Sequence, residues 1–273
     1  LLRASGTACP CAIIAAAGPP AVNSPARRLL GWWLLALLVA AGFAHLGRWQ
    51  LARMHEKEAI LAAASAALDH AHPQPLLLAS DPTRAQGYDW AAGGGTLLDA
   101  SLWLDAQQRG GRVGVRVYCV LLPDEGAQAL LLDAGWWPLA GDRRLPEAGC
   151  PAGTGQAVRG LLAPPPTPGL AHGDALAEQA GKRWLASRMD LPAVAKALGL
   201  RVAIAPRVLR LDPQRQPGDG GVMAASGERD LDILPNTMPP ERHLGYAVQW
   251  FGLALTVLVV AATLTFRMKK KAR

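Results

Sequence analysis

Two long apolar segments near the ends of the chain limit its fold more than any other feature. The first, Leu29–Gly47, has 19 residues and the second, Leu244–Phe266, has 23, and neither contains Asp, Glu, Lys or Arg. About 20 helical residues cross the hydrocarbon core of a bilayer, whereas core helices of soluble proteins are usually shorter and have a polar face. The sequence therefore predicts two membrane-spanning helices, at residues 29–47 and 244–266.

The charged residues are distributed unevenly between these segments and the rest of the chain. All 21 acidic residues lie between Trp49 and Arg242, together with 19 of the 28 basic residues, so that region has a net charge of −2 although the whole chain carries +7. The other nine bases lie at or beyond the apolar segments. Because a nucleic-acid-binding domain needs a basic surface, this distribution excludes nucleic acid as a partner and favours membrane lipids.

The basic residues also predict an orientation in the membrane. Five of them lie in the tail, residues 267–273, whereas only Arg229 and Arg242 shortly precede the second segment. Basic residues accumulate on the cytoplasmic side, so we expect the tail in the cytoplasm, and two spans place the N-terminus on the same side. The region 48–242 then lies outside the cytoplasm and is long enough to bury its own core. Frequent Arg and Ala suggest a bacterial source, in which this domain would lie in the periplasm.

The N-terminal residues 1–28 are rich in Ala, Pro and Gly, and we expect them to form an unstructured leader. The apolar segment after them is either a cleaved signal peptide, ending near Gly42 and Ala44, or an uncleaved anchor. A helical pattern continues to Leu68 without a turn signal, which favours the uncleaved anchor.

The region between the spans has the pattern of a mainly β domain. Val113, Val115, Val117, Cys119 and Leu121 alternate with Gly114, Arg116 and Tyr118, which predicts a half-buried strand. Further strands are predicted at Thr96–Leu104, Ala129–Trp137, Ala157–Leu162 and Arg201–Leu211. Asp190 can cap a short helix that ends at Gly199. The predicted fold class is a membrane protein in which two transmembrane helices flank a mainly β (α+β) extracytoplasmic domain.

Sequence motifs for catalysis are sparse in this domain. None of its serines lies in a nucleophile-elbow frame, and Gly93–Gly95 lacks the Lys and Ser or Thr of a phosphate-binding loop. His70 and His72 offer two imidazoles without a third ligand, and Cys9 and Cys11 lack a second pair. We therefore predict that the protein is not an enzyme.

Two further cysteines, Cys119 and Cys150, lie in the predicted extracytoplasmic domain. An oxidising compartment permits a disulfide between them. Cys119, on the apolar face of a strand, is most simply a buried core residue, and the sequence leaves the pairing open.

Three blocks of sequence resemble the Surfeit locus protein 1 family, membrane factors for cytochrome c oxidase assembly. The most specific is the junction from Pro235 to Ala254, which reads PNTMPPERHLGYAVQWFGLA. The others are Gly47–Arg53, GRWQLAR, followed by Lys57, and Asp133–Pro138, DAGWWP. The chain departs from the family where Asp133 and Ala134 replace an Asn-Arg pair, and where Glu241 and Arg242 replace two Asn residues.

The resemblance implies a chaperone of respiratory-chain biogenesis that assists insertion of haem a into the oxidase catalytic subunit, with haem a synthase as a further partner. The family's proposed haem ligand, a His at the head of the second span, corresponds to His243, and a neutral imidazole is a good axial ligand. At 100° per residue, His243 shares one helix stripe with Tyr246, Ala247, Trp250 and Ala254, where a macrocycle could lie. Gly245 and Gly252 fall on the opposite side, where another helix could approach.

Other residues at the same predicted boundary complete the candidate site. His45 could provide a second imidazole, and Arg48, Arg53 and Arg242 could pair with haem propionates or with lipid phosphates. Trp49 belongs to the block at the exit of the first span. Alternatively, Tyr246 and His243 form an interfacial belt, and the protein is a non-haem docking module that stabilises oxidase subunits during assembly.

Overall fold

A computed structural model describes residues 25–69, 72–141, 144–145, 149–150, 152–167, 173–179, 182–214, 227–234 and 237–271. The predicted leader up to residue 24, with Cys9 and Cys11, lies outside these residues, as do His70 and the last two residues of the tail. The chain divides into a helical unit, up to Trp49 and from Tyr246 onward, and a β unit, Gln50–Gly245.

Two long helices, α1 (Pro25–Leu68) and α3 (Pro240–Lys271), contain the two apolar segments. Both are long and apolar enough to cross a membrane. Helix α1 extends past the predicted span at both ends, because no Gly-Pro turn signal interrupts the helical pattern before Leu68. Helix α3 begins at Pro240, whose fixed φ suits the first turn of a helix.

The two helices contact each other in the helical unit through a hydrogen bond and a pair of stacked rings. The Trp33 indole donates a hydrogen bond to the Thr265 hydroxyl at 3.0 Å, and the rings of Phe43 and Trp250 stack with centroids 5.7 Å apart. The earlier residue of α1 contacts the later residue of α3, so the helices run antiparallel. A side chain at Gly47 would meet the ring of Phe251, so glycine permits close approach there.

The β unit is built on a closed cycle of five strands. In chain order the strands are β1 (Gln74–Pro75), β2 (Asp89–Arg109), β3 (Arg112–Pro123), β4 (Ala129–Pro138), β5 (Gly153–Ala163), β6 (Leu176–Gln179), β7 (Arg183–Ala186) and β8 (Ile204–Leu211). Strand β2 pairs with β5 along its first half and with β3 along its second half, and β4 and β8 complete the cycle. The mixed sheet and the two flanking apolar helices confirm the predicted fold class.

The predicted strands and the short helix agree with the structure at most positions. Strands β2, β3, β4 and β5 cover four of the predicted segments, and β8 covers the fifth from Ile204 onward. Asp190 caps α2 (Leu191–Ala197) by accepting a hydrogen bond from the backbone N–H of Ala193. Gly199 follows the helix with φ +62°, a conformation that favours glycine. The structure adds β1, β6 and β7, which are too short to produce a sequence pattern.

The prediction that β3 is half-buried is wrong. Tyr118 is only 1% exposed and Arg116 is also buried, so both faces of the strand are covered. The face with Cys119 lies in the larger core, while Tyr118 packs in a second core together with Val194 of α2 and Ala186 of β7. A second layer outside the strand cycle therefore covers the face of β3 that the alternating sequence pattern predicted to be exposed.

Candidate functional site

His243 lies in the first turn of α3 and is the most unusual of the predicted site residues. It is 8% exposed, and its Nδ1 atom lies 2.7 Å from Oε1 of Gln50 on α1. The other ring nitrogen, Nε2, is buried and has no hydrogen-bond partner among the residues that the structure describes. Buried polar atoms nearly always have a hydrogen-bond partner. This nitrogen therefore indicates either a ligand-binding position or a polar atom that is left unpaired to satisfy the packing around it.

The hydrogen bond with Gln50 has a chemical consequence for the imidazole. An amide oxygen only accepts hydrogen bonds, so the contact with Oε1 of Gln50 favours the tautomer in which Nδ1 carries the proton. In a neutral imidazole Nε2 then has a free lone pair, which is the state that binds a metal. Because the described residues contain no cluster of three or more His, Cys, Asp or Glu, a metal at this nitrogen needs most of its ligands from another source. A porphyrin supplies four such ligands.

The other predicted site residues are more exposed than His243. Tyr246 is 42% exposed and Trp49 is 50% exposed, whereas Trp250 is half-buried against Phe43. His45, Arg48 and Arg242 have exposed side chains. Each of these side chains is therefore accessible to a ligand or to lipid, except for the stacked face of the Trp250 ring.

Part of the stripe predicted for a macrocycle is buried in the helical unit. Ala247 and Ala254 are buried, and Trp250, which lies between them on the stripe, is half-buried. By contrast, nothing in the described structure lies within 4 Å of a side chain built at Gly245 or Gly252. A flat ligand lying along the whole stripe would compete with helix packing, while the glycine face is open to a partner helix.

A network of buried charges, which sequence analysis missed, lies on the outside of the strand cycle. Arg116 on β3 donates hydrogen bonds to Asp133 on β4 at 2.7 Å and to Asp230 at 2.9 Å, and Arg210 on β8 donates to Asp230 at 2.7 Å. Burial disfavours the charged Arg116 guanidinium, but Asp133 and Asp230 outweigh it and raise its pKa. Only the unusual Asp133, in place of Asn, hinted at this network in the sequence.

Asp230 belongs to a C-terminal strap, residues 227–234, that precedes α3. The strap is joined to β4 by two backbone hydrogen bonds between Trp136 and Glu228, at 2.8 and 2.9 Å. Arg109 also donates to the Glu228 carbonyl at 3.0 Å. The acidic strap is therefore fixed to the basic side chains of the sheet before the chain enters α3.

Cys119 and Cys150 form a disulfide bond, with their Cα atoms 5.5 Å apart. It joins β3 to the segment before β5, and both cysteines are buried in the larger core. Of the two states left open by the sequence, the structure has the disulfide. Such bonds are typical of domains outside the reducing cytoplasm.

The comparison with protein-family models decides the identity of the chain. The model described as the SURF1 family matches residues 37–255, from the middle of the first apolar segment to the middle of the second. The chain belongs to the SURF1 family. This confirms the resemblance carried by the three sequence blocks.

SURF1 family proteins are cytochrome oxidase assembly factors and not enzymes, in agreement with the function class predicted from the sequence. No curated protein matches the chain significantly. The family match includes both His243 and Gln50, so the unpaired imidazole nitrogen lies within the part of the chain that defines a SURF1 protein.

Proposed function

We propose that this SURF1 protein holds haem a at the start of α3 and assists its delivery to the catalytic subunit of cytochrome c oxidase. The observation that carries the proposal is the buried Nε2 atom of His243, which has no partner among the described residues. Leaving such an atom unpaired costs about 1–3 kcal/mol. When bound, haem supplies an iron with an axial position for this nitrogen, and two propionate carboxylates.

The burial of Nε2 also supports transient binding. Because the nitrogen is buried, the side chains around it would have to move before a ligand reached it. The free energy of that movement lowers the affinity for the cargo. Lower affinity suits a protein that passes its cargo to a partner.

The remaining predicted residues are assigned roles that their side chains allow. Exposed Arg48 and Arg242 would pair with propionates or lipid phosphates, and His45 would be a second imidazole ligand. The aromatic rings of Trp49, Tyr246 and Trp250 would contact the macrocycle. We further propose that the protein is in a bacterial inner membrane with both termini in the cytoplasm and the β unit in the periplasm, where it meets the oxidase catalytic subunit and haem a synthase.

The test is the absorbance of the full-length protein, purified in detergent from cells that also make haem a synthase. We expect a Soret and an α band for the wild type and the loss of most of this absorbance in His243→Ala. His55→Ala is the matched control, because His55 is an exposed histidine on α1 paired with Glu58, and it should leave the spectrum unchanged. An unchanged spectrum for His243→Ala removes the ligand assignment.

A second function is favoured by the hydrogen bond between His243 and Gln50. Interhelical hydrogen bonds stabilise helix pairs in membranes by about 0.6 to 2 kcal/mol, so the imidazole could simply join α1 to α3 in a docking module that steadies oxidase subunits. This function predicts no haem absorbance in the wild type, and weaker co-purification of the oxidase catalytic subunit with His243→Ala. The first experiment therefore distinguishes the two functions.

A further inference from the structure

Gln50 lies on α1, 193 residues before His243 in the chain, yet its side-chain oxygen is 2.7 Å from the imidazole. Gln50 is half-buried and His243 is buried. Within the described part of the chain, this is the hydrogen bond that fixes the imidazole, since Nε2 has none. Elsewhere on α1, Arg53 pairs with Glu56 at 2.6 Å and His55 with Glu58 at 3.2 Å.

The direction of this hydrogen bond determines which nitrogen can bind a metal. With Oε1 as the acceptor, the proton is on Nδ1 and Nε2 keeps its lone pair. If the amide were turned over, its NH2 group would donate to Nδ1 and the proton would be on Nε2. That nitrogen would then be a buried donor without an acceptor and could not coordinate iron.

We infer that Gln50 is the positioning residue that holds His243 in its Nδ1–H tautomer and presents Nε2 as the ligand. The inference rests on the proposed haem-binding function. Histidines that bind metals usually donate their second ring N–H to a carboxylate, a carbonyl or water, and losing that partner typically weakens metal binding 10- to 100-fold. The side-chain carbonyl of Gln50 is such an acceptor, and it lies on the opposite helix. The His243 imidazole is therefore oriented only when α1 and α3 are paired.

Two substitutions at Gln50 separate this role from a structural one. Gln50→Leu removes the acceptor, and Gln50→Glu keeps an acceptor in the same place while removing the NH2 group. The matched control is Gln249→Leu, which removes an exposed amide from α3. All variants are compared as full-length protein in detergent, with helix content measured by circular dichroism.

The first readout is the affinity for haemin, from absorbance titration. We expect Gln50→Leu to weaken binding 10- to 100-fold and to shift the Soret band, whereas Gln50→Glu and Gln249→Leu bind with near wild-type affinity. A purely structural role for the hydrogen bond predicts instead that Gln50→Leu loses affinity only in parallel with its loss of helix content. Wild-type affinity and spectrum in Gln50→Leu, together with loss in His243→Ala, would overturn the inference and leave the proposed function intact.

The second readout uses the protein without haem. In 15N NMR of histidine-labelled protein, the difference between wild type and His243→Ala identifies the His243 signals, and we expect a protonated Nδ1 and an unprotonated Nε2. A protonated Nε2 in the wild type overturns the inference whatever the haem titration shows. If Gln50→Leu does not fold, Gln50→Glu and this spectrum decide. Failure of the proposed function is recognised separately, as equal haemin affinity in wild type and His243→Ala.

Discussion

The disulfide between Cys119 and Cys150 gives a quantitative prediction for the β unit. The cysteines are 31 residues apart in sequence. In the chain-entropy model, closing a loop of that length lowers the entropy of the unfolded chain enough to stabilise the fold by about 3.7 kcal/mol. Because folded domains have a total stability of about 5–15 kcal/mol, reduction of this bond should remove a large part of it.

The change is the double substitution Cys119→Ala/Cys150→Ala, compared with the wild type before and after dithiothreitol. Urea unfolding followed by tryptophan fluorescence suits the measurement, since Trp103 and Trp136 are both buried in the β unit. With a urea dependence of about 1–3 kcal/mol per M, the unfolding midpoint should fall by between about 1 and 4 M.

The control is the response of the double variant to dithiothreitol, which should be nil because the bond is already absent. Two results would refute the reasoning. One is a double variant that unfolds at the same urea concentration as the oxidised wild type. The other is a wild-type midpoint that does not change when thiol labelling shows both cysteines to be reduced.

Three more predictions follow from buried or closely packed groups. Asp133→Ala leaves the buried Arg116 guanidinium without its 2.7 Å partner and should cost about 3–5 kcal/mol in urea unfolding, and a cost below 1 kcal/mol would contradict a buried network. Burial raises the pKa of Tyr118, and Asp133 raises it further, so the folded state keeps a proton that the unfolded state loses above pH 10. Above pH 10 the free energy of unfolding should therefore fall by about 1.4 kcal/mol per pH unit. Tyr118→Phe should remove this pH dependence. Gly47→Leu places a side chain against an aromatic ring of α3 and should cost about 1–3 kcal/mol in thermal unfolding monitored by helix content, whereas Gly42→Leu, with open space around it, should be neutral.

The elements of this fold were predictable where burial leaves a local pattern in the sequence. The two apolar segments and the alternating residues of β3 are such patterns, because a long apolar run and a period-two alternation can each be recognised within a short stretch of sequence. Strand pairing was not predictable, since β4 and β8 are joined across more than 60 residues. The outer face of β3 is buried by α2 and the strap, and this burial also depends on contacts between residues that are distant in sequence.

The candidate site divides in the same way. His243 was recognisable from its position at the head of an apolar segment and from a family motif. Its partner Gln50 lay in a second motif of the same resemblance, but no local pattern connects two residues 193 positions apart. The charges of Asp133 and Asp230 were visible, yet only the folded sheet shows which arginines neutralise them.

Closure of the five-strand cycle restricts how another protein can attach to the β unit. Within the described residues, the strands left at the periphery of the sheet are β1 and β6, which have 2 and 4 residues. Exposed edges act as templates onto which a foreign strand can be added, and short ones offer few backbone groups for it. A partner protein that docks on this unit must therefore be recognised by side chains and loops. The same geometry protects the domain from edge-to-edge aggregation during the interval before its partner arrives.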